Sequence, residues 1–190
     1  LFDQKPNFPS FPTGITIKST KSNSRIEQLT RLSFPLNIEF TEANLYKLEY
    51  ICEVIEAHLR DKVKTDKFPS IDVGYELPFY PYTDAVWLSI QAPLNDNLSK
   101  EFTDILVGEL AKLQKEGPSE SNLRKAFEQI EYSKDFWEGN SEYLIGRTIN
   151  ASLWGWDPKP VKPRPLAASV VKKDLNDWID LNHYSKISTK

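Results

Sequence analysis

Gly117-Pro118-Ser119-Glu120-Ser121-Asn122-Leu123-Arg124-Lys125, followed by Asn140-Ser141-Glu142-Tyr143-Leu144 and Trp154-Gly155-Trp156-Asp157-Pro158, is the stretch whose punctuation decides the architecture. Glycine then proline stops a helix, since glycine takes the left-handed cap and proline cannot continue the turn. Ser119 caps a new helix that turns Leu123, Phe127, Ile130 and Trp137 inward until Gly139 breaks it. Asn140 caps a shorter one through about Leu153. A block of successive helices follows, each with its own start and stop.

Upstream, Leu98, Phe102, Ile105, Leu106, Leu110 and Leu113 trace one helical face that enters through Asn95-Asp96-Asn97 and ends at Gly117. Before it, Ile71, Val73, Tyr75 and Leu77 alternate with polar residues, and Val86, Leu88 and Ile90 do the same beyond Pro78 to Asp84. Such alternation predicts two antiparallel neighbouring strands with one buried face. Thr41 caps a long helix whose stripe is Leu45, Leu48, Cys52, Ile55 and Leu59, ending near Lys64 ahead of Phe68-Pro69. Earlier still, Ile15 to Lys18 and the run Ile26, Thr30, Leu32, Phe34 read as two strands joined by a polar turn from Ser19 to Arg25. Residues 1–13 carry Pro6, Pro9 and Pro12 without periodicity and read as an extended arm or linker.

Downstream, a proline-rich passage from Pro158 to Pro165 leads to a final helix holding Val170, Leu175, Trp178 and Leu181. The run Tyr184 to Thr189 is placed to close the sheet. The expectation is a single α+β domain over residues 14–190: a mainly antiparallel sheet with helices packed on one face.

The composition excludes several classes. A chain of 190 residues with 39% hydrophobic content folds around a core of its own. A net charge of −3 with mixed signs offers no positive field for nucleic acid. No apolar run reaches the roughly 20 residues that span a bilayer, so no membrane partner is expected. The single Cys52 excludes an internal disulfide and reads as a small buried residue rather than a nucleophile. There is no Met, and the chain opens on Leu1-Phe2-Asp3, so it reads as an excised or processed piece of a longer protein.

Candidate chemistry is sparse. Catalytic zinc needs three protein ligands, usually with two His one turn apart. Only His58 and His183 are present; after His58 the text runs Leu59-Arg60-Asp61-Lys62, where lysine stands in place of a second imidazole. No metal ligand set and no catalytic residue is therefore assigned to this chain. No Ser lies in a G-x-S-x-G turn, and the seven glycines do not cluster into a phosphate loop. Trp154 and Trp156 fall where a helix terminates and read as lids over the core rather than as ligand shelves.

The quoted motifs resemble the C-terminal lobe of insulinase-like (M16) zinc peptidases, whose helices open on "G-P-S/T-x-x-D/N-L-x-K" and "N-S-x-Y/W-L". The likeness extends to Phe11-Pro12-Thr13-Gly14-Ile15-Thr16, to Leu59-Arg60-Asp61 at the end of the first long helix, and to Glu109-Leu110 through Glu116-Gly117-Pro118-Ser119. Within the family it is most similar to bacterial PqqL-like zinc proteases. The resemblance implies that zinc and its ligands lie in the N-terminal half of a parent protein, that this half is the partner, and that peptide is the substrate. It implies a bacterial protein of periplasm or cytoplasm. It also implies substrate contact by Arg60, at the family's arginine position, and by Phe68, which keeps the ring where Lys64-Thr65-Asp66-Lys67-Phe68-Pro69 replaces the usual "G-G-x-Y". A guanidinium at a helix end suits peptide carbonyls or carboxylates. The alternative is that Arg60 pairs with Asp61, Glu56 or Asp66 on a solvated surface. Two functions stay open: a non-catalytic lobe that helps enclose and hold peptide, and an inactive structural lobe of the kind found in core subunits of respiratory complexes.

Overall fold

Helix α1 (Glu42–Lys62) begins where Thr41, in extended backbone, accepts the Asn44 N–H on its hydroxyl at 3.2 Å. It ends when the Val63 N–H closes on the Leu59 carbonyl. Of the predicted stripe Leu48, Cys52, Ile55 and Leu59 are buried and Leu45 is half-buried, but Tyr46, Tyr50, Ile51 and Val54 are buried too, a band wider than one helical face. The reason is position: α1 packs on the sheet on one side and on a further helix on the other. The structure, a computed structural model, describes residues 14–20, 29–63, 68, 70–77, 85–94, 96–138, 140–157, 159 and 162–189. The expected arm over residues 1–13, most of the Ser19 to Arg25 turn and the Pro78 to Asp84 connection lie outside the described residues, as does the side chain of Trp137.

Among the described residues five strands form one sheet: β1 (Ile15–Thr20), β2 (Thr30–Pro35), β3 (Asp72–Glu76), β4 (Trp87–Ala92) and β5 (Tyr184–Thr189), in the order β1-β5-β2-β4-β3. The alternating pair β3 and β4 are antiparallel neighbours, with Val73 opposite Ile90. The sheet as a whole is mixed, because β5 inserts between β1 and β2, parallel to the first and antiparallel to the second. The two strands expected to flank a turn are thus not neighbours. Parallel pairing needs a long crossover, and the whole helical block between β1 and β5 supplies it.

One face of the sheet turns Leu32, Phe34, Leu88, Ile90 and Val73 into the core. Each such side chain is worth roughly 1.5–3 kcal/mol of burial. The other face carries a polar ladder in which the Arg31 guanidinium donates to Gln91 at 2.8 and 3.1 Å and to Glu76 at 2.6 Å, while Gln91 donates to Asp72 at 2.7 Å. Helices α2 (Asp96–Glu116), α3 (Glu120–Glu138) and α5 (Ala168–Trp178) build the core side with α1, and α4 (Ser141–Trp154) stands apart. The Tyr50 hydroxyl donates to the Leu123 carbonyl at 2.8 Å, tying α1 to α3. Gln114 donates to the carbonyls of Leu175 and Ile179, tying α2 to the end of α5. Gly117 takes φ +85 at the predicted stop and Gly155 takes φ +69 after α4.

Candidate functional site

Arg60 sits in the last turn of α1, its side chain 62% exposed, and its guanidinium pairs with Glu56 one turn back. The second oxygen of Glu56 accepts the Val73 N–H at 3.2 Å. This links Arg60 through Glu56 to β3, the strand at the edge of the sheet, and occupies one edge donor. Asp61 is held instead by Lys125, with both contacts at 2.9 Å.

Phe68 lies elsewhere. It is 2% exposed and its ring stacks obliquely on Phe102, with centroids 5.6 Å apart. Its aromatic ring fills the core, so the two residues singled out by the resemblance are not brought to one surface. Arg60 alone faces solvent.

His58 presents Nε2 to Glu109 at 3.1 Å, and the other oxygen of Glu109 takes Lys112 at 2.5 Å. The Lys112 hydrogen bond leads in holding the Glu109 carboxyl below its usual range, with His58 adding to it. His183 is paired with Asp180 at 2.5 Å. Among the described residues no three His, Cys, Asp or Glu side chains gather into a metal-holding group. Both imidazoles are thus engaged by a carboxylate close by, His58 by Glu109 and His183 by Asp180. Cys52 is buried in the core, and burial followed by its glutamate neighbours pushes its thiol up, away from the reactive thiolate.

A cleft of about 510 Å³ opens between α1, β3, α3 and α4. Glu49 of α1, Tyr75 of β3, Lys134 of α3, Arg147 of α4 and the Trp156 ring line it. Arg147 reaches across to Glu42 and also donates to the carbonyls of Asp157 at 2.9 Å and Lys159 at 2.8 Å. Phe40 packs against Trp154 and Trp156, with centroids at 4.6 and 5.2 Å, closing one end. Trp156 lines the cleft, and Trp154 packs on Phe40 beside it.

From the cleft a row of carboxylates follows α1 toward Arg60: Glu49, Glu53 and Glu56, spaced so that they share one helical face. Burial first, and then the charges of Glu56 and Glu49, push Glu53 up to about 7. Although the Glu49 side chain reaches solvent at the cleft mouth, the surrounding walls desolvate its carboxyl and raise it, with Lys134 opposing. The spacing of this row was visible in the sequence; the contact of Arg147 with Glu42, 105 residues apart, was not. The lining is thus mixed, with carboxylate, ammonium and guanidinium groups beside aromatic rings.

No protein-family model matches the sequence, and no curated protein matches it. Solved structures do. A conserved protein from Enterococcus faecalis V583 superposes with TM-score 0.73 at 6% identity over 96% of this chain. The peptidase M16 inactive domain from Pseudomonas fluorescens gives 0.69 at 13% over 95%, and the periplasmic protease PqqL from Escherichia coli gives 0.64 at 12% over 93%. The fold is that of an M16 peptidase lobe. At these identities the likeness is one of architecture, and the M16 resemblance carried by the motifs stands at that level. This chain spans 43% and 44% of the first two structures and 20% of PqqL, so the matched stretch is a fraction of those chains.

Proposed function

We propose that this chain is a non-catalytic lobe of an M16-type zinc metallopeptidase and helps enclose and hold a peptide substrate. The observation that supports this most is the fold shared with an M16 inactive domain over nearly the whole chain. Zinc and the general base would belong to the N-terminal half of the parent, which is the partner. Arg60 is the residue proposed to touch peptide: it is exposed, at a helix end, and steadied by Glu56 rather than buried by it. A second reading, an inactive assembly lobe, is favoured by one observation: Phe68 lends its ring to the core, leaving no aromatic group at that family position to meet a substrate.

The test is made in the parent polypeptide. Arg60→Ala should lower kcat/KM for peptide cleavage by about ten-fold or more, the value of one charge-assisted hydrogen bond of roughly 1.5–3 kcal/mol, with the lobe still folded. Unchanged kinetics would remove Arg60 from the site. A parent that lacks H-x-x-E-H and cleaves no peptide would leave the assembly reading. Stoichiometric zinc in this chain by elemental analysis, lost on changing His58, would overturn both assignments of His58 and metal.

A further inference from the structure

At about 510 Å³, the cleft between α1, β3, α3 and α4 falls in the size range of sites for small organic molecules. It brings opposite charges from two helices to one space. Glu49 comes from α1 and Lys134 from α3, and the Lys134 charge opposes the rise that burial imposes on the Glu49 carboxyl. Tyr75 of β3 and Tyr143 of α4 line the same space. Tyr75 keeps 37% of its surface exposed, yet its surroundings desolvate the hydroxyl and push it up, followed by Glu49, Cys52 and Tyr143. Leu45, Leu77 and Ile130 give the cleft an apolar part, and the Phe40 and Trp156 rings, 5.2 Å apart, stand at one end. Glu42 and Arg147, also in the lining, are already paired with each other. An open cleft in which a few charged groups converge on apolar walls, with carboxyl and phenol groups perturbed inside it, is the physical signature of a ligand site.

We propose that this cleft binds a free α-amino acid with a large apolar side chain, held as its zwitterion. The ligand's ammonium meets the Glu49 carboxylate beside the rings of Tyr75 and Tyr143, so that a carboxylate and two π-systems act on one cation. Its carboxylate meets the Lys134 ammonium, a group with three hydrogens to donate. Its side chain takes the apolar part of the lining. Charge selects the class. Glu49 and Lys134 sum to zero, and so do Glu42 and Arg147, so a purely anionic or purely cationic guest would set its charge against a like one. A phosphate would meet two carboxylates, and a polyamine would meet an ammonium and a guanidinium. An internal stretch of peptide backbone carries neither charge and a chain terminus carries one, whereas a free amino acid carries both on one α-carbon. Desolvation adds to the selection, because a carboxylate held in such walls gains more from an arriving cation than one in open water. The site lies within this chain and calls for neither zinc nor a second half, so it stands apart from the peptidase reading.

Titration of the ¹⁵N-labelled chain with L-phenylalanine and with L-leucine tests this, amide shifts giving the dissociation constant. At least one of the two should saturate in the millimolar range or below, with shifts concentrated around Tyr75, Lys134 and Tyr143. Two half-ligands separate the charges: phenethylamine lacks the carboxylate and 3-phenylpropanoate lacks the ammonium. Each should bind about ten-fold or more weakly than L-phenylalanine, the loss expected for one charge-assisted contact. Glu49→Gln and Lys134→Gln, one on each helix, should weaken binding by a similar factor, while Tyr132→Ala, on α3 at a residue 72% exposed, should leave it unchanged. Amide dispersion like that of the parent chain shows that each variant is folded. Failure of both amino acids to saturate below about 50 mM would overturn the proposal. So would a half-ligand that binds as tightly as the whole, or folded Glu49→Gln and Lys134→Gln variants that bind like the parent chain.

Discussion

Arg147→Ala is the perturbation that most directly probes how α4 is held. The helix buries no side chain, and among the contacts that hold it are the Phe40–Trp154–Trp156 cluster and the Arg147 guanidinium. Its Nη2 reaches Glu42 and the carbonyls of Asp157 and Lys159, with the Arg147 and Glu42 side chains only 17% and 19% exposed. Hydrogen bonds to charged groups contribute about 1.5–3 kcal/mol, and residual solvent access places this one near 2 kcal/mol. The equilibrium for local opening of α4 should rise by about 30-fold. Hydrogen exchange followed by mass spectrometry reads this as faster exchange across residues 141–154. Global stability can fall by no more than the same amount, and by less if α4 already opens at smaller cost. Arg147→Lys should fall between the two, since an ammonium keeps the charge opposite Glu42 but is more strongly hydrated and sits on a more flexible stem. Exchange in α4 unchanged by Arg147→Ala, or lysine equal to arginine, would refute the account.

Glu53→Gln should flatten the pH dependence of stability. Glu53 is raised from 4.5 to about 7 in the folded chain, so folding takes up a proton between these values and stability falls as pH rises through that window. Solvent access reduces the effect to on the order of 1 kcal/mol, seen as a gap between wild type and variant in denaturation midpoints that is wider at pH 8 than at pH 5. Gly117→Ala should cost about 1–2 kcal/mol and a few degrees of Tm, because φ is +85 and the new methyl would sit 3.3 Å from Cδ of Lys172. An unchanged melting curve would show that the turn relaxes.

The helices were legible because their ends are chemical: Thr41, Ser119, Asn140, Gly117 and Gly155 name starts and stops without help from tertiary structure. The β3–β4 pair was legible for a related reason, its strict alternation. Strand order was not. A period of two states which face is buried and is silent about the neighbour, so nothing in Tyr184 to Thr189 announced its place between β1 and β2. The same limit governed the site. Arg60 is charged and ends a helix, which sufficed to put it on the surface. Phe68 is a ring in a region of altered motif, and only packing shows that it belongs beside Phe102. The cleft depends on side chains from α1, β3, α3 and α4 that no spacing connects.

The position of β5 governs the timing of assembly. The strand furthest along the sequence is an interior plank, and β1, the first strand, touches the rest of the sheet through it alone among the described residues. Until residues 184–189 are in place, the opening segment has no ladder to join, whatever else has formed. Such a closing contact between distant ends is entropically slow and leaves strand edges exposed while the chain waits. Clipping the lobe just before Tyr184 would thus shed two strands rather than one.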